Sequence, residues 1–114
     1  MISPDAGEIT MEFEWDEVKR QQVIKERGVD FLYAAGIFEG AILTRIDDRA
    51  DYGEVRKIAL GMVEGECFVV VFTERGDVIR LITAWKGGRH DRSEYQKSIA
   101  HRAEENEGGG GAFS

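Results

Sequence analysis

Residues 67–84, CFVVVFTERGDVIRLITA, constrain the fold more than any other part of the chain. Residues 67–72 are apolar without a break, the pattern of a strand covered on both faces. Arg75-Gly76-Asp77 reads as a tight turn, because glycine supplies a positive φ and aspartate favours turns. The same tripeptide spells a cell-adhesion signal, but in this setting a hairpin turn accounts for it. A second strand follows, with Arg80 inside it among apolar residues. Such a charge must face solvent, a partner or a ligand, since burying it unpaired is costly.

The rest of the chain arranges itself around that pair. Asp16 and Gly28 are helix start and stop signals for a short polar helix over 16–27. Asp30 caps a second helix that ends at Gly40, with Phe31, Ala34, Ala35 and Phe38 on one apolar face. Strands are expected at 41–46, 55–62, 67–73 and 78–85, with a polar turn at 47–53 and a hairpin turn at Glu64-Gly65-Glu66. Gly87-Gly88 breaks the last strand, and a final helix runs from Arg89 or Asp91 to Glu105. Short connections favour an antiparallel meander. The expected class is α+β: two N-terminal helices, a twisted four-stranded antiparallel sheet and one C-terminal helix.

A length of 114 residues suits one domain, read as a flexible leader over 1–11, a folded domain over 12–105 and a disordered Gly-rich tail over 106–114. Met11 is an alternative start. The longest apolar run has six residues, too few to span a membrane. The N-terminus has neither the early basic residues nor the apolar segment of a signal peptide. Cys67, the single cysteine, opens an apolar run and is read as a packed thiol in a reducing compartment. These points together read as a cytoplasmic protein.

The net charge of −7 is unevenly spread. Residues 1–14 carry four acids and no base, whereas residues 74–102 carry seven Lys or Arg against four acids. Local distribution, more than the total, decides whether a surface binds phosphate. Alternation puts Arg56 with Ile58 and Leu60 on one side of their strand and Lys57 with Val55 and Ala59 on the other. Neighbouring or next-neighbouring strands can bring Arg56 or Lys57 near Arg80, with Lys86 and Arg89 at the mouth of the last helix. Strand alternation puts Arg80 on one side with Val78, Ile82 and Ala84. Arginine suits a phosphodiester because its planar fork matches phosphate oxygens. The same residues also suit plain surface pairing with Glu74, Asp77 and Asp91. Asp91 and Tyr95 share a helix face and offer proton transfer, or else a cap and a core contact. His90 and His101 are about 16 Å apart along a helix, so they cannot share a metal. No metal site and no phosphate loop are expected, and no cofactor.

Several segments together resemble the BrnT toxin family: Phe13-Glu14-Trp15-Asp16 with Lys19, Gly28-Val29, the helix from Ala34-Ala35 to Phe38, Gly53-Glu54 with Arg56 and Gly61, the stretch 69–84, and Arg89 with Tyr95. The resemblance implies a RelE-like fold and a ribonuclease that blocks translation. It implies a partner, the BrnA antitoxin of ribbon-helix-helix type, which links the toxin to operator DNA only indirectly. It makes Arg56, Glu74, Arg75, Arg80, Arg89 and Tyr95 candidates for the site. The chain departs from the family pattern in having Val23 for Asn, Arg27 for His, Trp85 and Lys86 for an arginine pair, and Asp91 for Glu. Trp85 then offers base stacking where an arginine would offer a phosphate contact.

The expected catalytic set is Arg56, Glu74, Arg80, Asp91 and Tyr95, and the expected substrate-binding set is Lys57, Arg75, Trp85, Lys86 and Arg89. The expected reaction is metal-independent transesterification of RNA, in which the 2′-OH attacks the adjacent phosphorus. The alternative is a catalytically degenerate module that binds the antitoxin and helps it repress its own operon.

Overall fold

The computed structural model describes residues 11–107, and side chains through residue 103. The expected leader over 1–11 lies outside the described residues except for Met11, and the expected tail over 106–114 except for residues 106 and 107, which end the last helix. The order is β1 (Glu12–Trp15), α1 (Glu17–Arg27), α2 (Phe31–Ala34) continued by a 3-10 turn (Ala35–Glu39), β2 (Leu43–Asp47), β3 (Arg56–Val63), β4 (Glu66–Arg75), β5 (Val78–Lys86) and α3 (Arg89–Glu107).

The class is α+β, but the sheet has five strands rather than four and is mixed rather than antiparallel. Its order is β1-β5-β4-β3-β2, with β1 parallel to β5 and the other neighbours antiparallel. The fifth strand is β1, four residues long, and Glu14 pairs with Arg80. Nothing local announces such a strand, because its hydrogen bonds go to residues far along the chain. The central strand is β4, buried throughout 67–73 as its apolar run predicts. The hairpins at Glu64-Gly65 and Gly76-Asp77 are two-residue turns with left-handed backbone at Glu64, Gly65 and Gly76.

Asp16 caps α1 by accepting from the amides of Val18 and Lys19. Gly28 ends it in the left-handed region, φ 69°, where glycine has no Cβ penalty. Asp30 caps α2 and also receives both arms of Arg20 at 2.7 and 2.8 Å, which ties the two helices together. The second helix is shorter than its apolar spacing predicts. After Ala34 the chain tightens into the 3-10 turn, whose three-residue period brings Ile37 inward beside Ala34 and Phe38. Gly61 permits this, since a Cβ there would lie 2.5 Å from that of Ile37.

The two faces of the sheet differ. One packs Phe68, Val70, Phe72, Leu81 and Ala84 against Val23, Phe31, Ile37 and Phe38 of the helical layer. Phe38 stands edge-on to Phe72 at 5.1 Å, a favourable aromatic geometry. The other face carries Ile58, Leu60, Val69 and Val71, bordered by partly exposed Leu43, Ile82, Trp85 and Tyr95. No helix among the described residues is long and apolar enough to cross a membrane.

Candidate functional site

The register across three strands builds the site. Arg80 on β5 pairs with Thr73 on β4 and with Glu14 on β1. One rung beyond the Lys57–Phe72 pair, Arg56 of β3 falls on the same row as Thr73. Thr73 is buried and donates its hydroxyl to the Val55 carbonyl at 2.7 Å, which fixes the start of β3. Arg75 follows at the end of β4. These ends surround a cleft of about 280 Å³ lined by Asp16, Lys19, Glu54, Arg56, Arg75 and Arg80, with Ile82 beside it.

Two carboxylates hold the three arginines. Glu14 Oε2 lies 3.3 Å from Arg80 Nη1 and 3.5 Å from Arg75 Nη1. Glu54 lies 3.3 Å from Arg56 Nε and 3.5 Å from Arg75 Nη2. The Arg56 guanidinium also stacks 4.1 Å over the Tyr52 ring. Pairs elsewhere in the molecule are tighter: Arg20–Asp30 at 2.7 Å, Arg49–Asp47 at 2.7 Å and Lys57–Glu74 at 2.7 Å. Short charge-assisted bonds fall near 2.7–2.9 Å. The cleft arginines are thus oriented but loosely engaged, and a phosphate can replace the carboxylates without breaking a strong pair.

The structure brings together Arg56, Arg75 and Arg80 and separates the other expected residues from them. Lys57 and Glu74 pair with each other at 2.7 Å on the helix-covered side of the sheet. That follows from alternation, which sends neighbours Arg56 and Lys57 to opposite faces. Lys86 pairs with Glu66 at 2.8 Å at the other end of β5. Arg89 and His90 are exposed at the start of α3, beyond that same end. Asp91 accepts from the Gly88 amide at 3.1 Å and so caps α3. Tyr95 packs against the second apolar cluster and donates its hydroxyl to the Ala41 carbonyl at 2.8 Å. The expected grouping of Arg80 with Ala84 is corrected by a bulge. Leu81 pairs with Phe72 and Thr83 with Val71, so Ile82 is extra. The alternation slips by one. Ala84 turns into the helix-covered core, whereas Trp85 joins Ile82 on the face of Arg80.

Reading by residue type gave Glu14, Asp16 and Glu54 no place in the site. Their signal lay in the motifs 13–16 and 53–54, which carry family resemblance without an apolar period. Arg27 and Arg49 were also passed over. Arg27 Nη1 bonds to Thr83 Oγ1 and the Ala84 carbonyl, both at 3.1 Å. Arg49 is held by buried Asp47, and this hydrogen-bonded pairing brings the Asp47 carboxyl down to about 2. Cys67 is buried, and desolvation pushes its thiol up, away from the reactive thiolate.

Among the described residues, no group of three or more His, Cys, Asp or Glu is placed to hold a metal ion. Residues 15–91 match the family model described as ribonuclease toxin, BrnT, of type II toxin-antitoxin system, which covers more than half of the chain. No curated protein matches the chain.

Proposed function

This chain belongs to the BrnT family of ribonuclease toxins of type II toxin–antitoxin systems, and from that premise we propose that it cleaves RNA by transesterification in the cleft of Arg56, Arg75 and Arg80. One observation carries the reading. Three guanidiniums from three strand ends converge on one concave site through carboxylate contacts of 3.3–3.5 Å. In the reaction the 2′-oxygen bonds to phosphorus, the 5′-oxygen leaves, and the products are a 2′,3′-cyclic phosphate and a 5′-hydroxyl. Negative charge grows on the phosphoryl oxygens. Fixed guanidiniums in a partly desolvated cleft stabilise it more in the transition state than before.

The 2′-hydroxyl proton needs an acceptor and the leaving oxygen needs a donor. Glu14 and Glu54 are the carboxylates within reach of the arginines, and we assign one of them to take the 2′-hydroxyl proton, while solvent in the open cleft supplies the proton to the leaving 5′-oxygen. Glu74, Asp91 and Tyr95 are engaged elsewhere, so the proposal moves proton transfer from them to the cleft. The positive charge comes from the protein, and the step needs no metal. On this reading the fold is a variant of the RelE-like ribonucleases.

A type II toxin has a cognate antitoxin. We propose a BrnA-like ribbon-helix-helix protein that covers the arginine cleft with an acidic or apolar segment, in a cytoplasmic complex on operator DNA. A second reading is favoured by the same ion pairs. Each cleft arginine already has a carboxylate, as in a catalytically silent module that only binds the antitoxin and co-represses the operon.

Incubating the purified chain with RNA in the presence of a chelator separates the two. Cleavage with cyclic-phosphate ends, lost by about 10²–10³-fold on Arg80→Ala with the fold intact, supports the ribonuclease. Binding of the antitoxin by a well-folded chain that leaves RNA whole supports the silent module. Undiminished cleavage by the Arg80→Ala protein removes Arg80 from the site.

A further inference from the structure

The bulge in β5 leaves one feature unused by the cleft. It places Trp85 on the same face as Arg80, half-buried on the cluster of Ile58, Leu60, Val69 and Val71. Two guanidiniums flank the indole: Arg27 from the end of α1 at 5.6 Å from the ring centroid, and Arg49 from the β2–β3 connection at 6.0 Å. Both are fixed from behind. Arg27 is held by Thr83 and Ala84, and Arg49 by the buried Asp47 carboxylate at 2.7 and 2.8 Å. Three elements therefore converge on one partly exposed aromatic ring. The Arg56–Tyr52 stack, at 4.1 Å, is closer than either flank of Trp85. Both guanidiniums lie over the Trp85 ring at that longer range, and Trp85 keeps part of its surface exposed.

We propose that Trp85, Arg27 and Arg49 form a second RNA subsite, in which a nucleobase flanking the cleaved phosphate stacks on the indole and the guanidiniums take the adjoining phosphates. This rests on the ribonuclease reading and adds to it a position that holds the strand in register. An aromatic platform beside basic groups is how single-stranded nucleic acid is bound without base pairing. The spacing fits. Arg80 and Trp85 pair with Thr73 and Val69, four residues apart on β4, which is about 13 Å at roughly 3.3 Å per residue. Ile82 borders the cleft and packs in the same cluster as Trp85, so the surface between the two sites is continuous. Because both arginines are fixed before RNA arrives, little ordering is left to oppose binding. The subsite contacts substrate but no reacting atom, so Trp85 is a positioning residue.

The probe is a 2′-O-methylated oligonucleotide of about eight residues, within the span such surfaces cover. Its nucleophile is blocked, so binding is read apart from cleavage, by fluorescence anisotropy. Trp85→Ala weakens binding by roughly 5- to 150-fold, the range of one lost stacking contact, and Trp85→Phe restores most of it. Arg27→Gln, at an exposed helix end, lowers the dependence of log affinity on log salt by about 0.7. Replacing one base at a time with an abasic residue reveals a single position that matters to the native protein and not to Trp85→Ala. Native affinity in Trp85→Ala with an unchanged melting temperature overturns the subsite, as does an Arg27→Gln salt dependence equal to the native one. If the native chain cleaves RNA in that case, the ribonuclease reading survives alone. If it neither cleaves nor binds RNA, that reading falls and the subsite with it.

Discussion

The two faces of the one sheet are built to different rules. The face under α1, α2 and the 3-10 turn is closed and apolar, with Phe31, Ala34 and Ile37 at 0–1 % exposure. The opposite face has a smaller apolar cluster, a border of half-buried Trp85 and Tyr95, and an open end where arginines gather. The strands are shared, so strand propensity does not make the difference. Cover makes it. A side chain under a helical layer has to be apolar and space-filling. A side chain on the opposite face can keep its charge in contact with water and meet a ligand.

The largest effect comes from breaking the closed face. Phe31→Ala removes a buried ring and leaves a cavity, and costs about 3–5 kcal/mol in denaturant unfolding. A loss under about 1 kcal/mol means that the layer is not tightly packed. The next test opposes two neighbours. Arg56→Ala, on the open face, lowers RNA cleavage by about 10²-fold while its unfolding stays close to native. If both fall together, Arg56 is holding the fold rather than a phosphate.

A pH experiment sharpens the contrast between a fixed pair and a loose one. The Asp47 carboxyl, ordinarily near 3.9, lies at about 2 in the fold, chiefly through the hydrogen bond from Arg49. A group lowered in this way adds stability above its unfolded value, and the contribution disappears as pH falls from about 4 towards 2. The gap in urea midpoint between the native chain and Asp47→Asn therefore narrows over that interval. A gap as wide at pH 2.5 as at pH 6 contradicts the assignment. Lys57→Ala gives the smallest effect. Its pair with Glu74 is partly exposed and is worth about 0–1 kcal/mol. Its position on the closed side predicts cleavage within a few-fold of native, despite its place next to Arg56.

Much of this contrast was legible before the fold. The apolar run at 67–72 announced the central strand, and alternation announced that Arg56 and Lys57 part company. The caps at Asp16 and Asp30 and the stop at Gly28 are local, since each is met by amides or a carbonyl within a few residues. The early strand was not legible, because four residues with no hairpin signal pair with a strand far along the chain. The 3-10 turn was not legible either. Its tightening depends on Gly61, which lies on another element. The bulge at Ile82 reversed the strict alternation that a period of two carries through to Ala84.

By itself, then, the sequence determined four of the five strands, the first and last helices, the hairpin turns, the α+β class and the family to which the chain belongs. These follow from period, capping and turn chemistry, which act over a few residues, and from motifs read in line. The tertiary structure decided which charges meet. Arg80 finds Glu14 across 66 positions and Arg56 across three strands, and Trp85 comes between arginines from α1 and the β2–β3 connection. Those meetings depend on sheet order, register and one extra residue in a strand. None of the three is written in any short window of the chain, because each is fixed only when distant segments bury their apolar faces together.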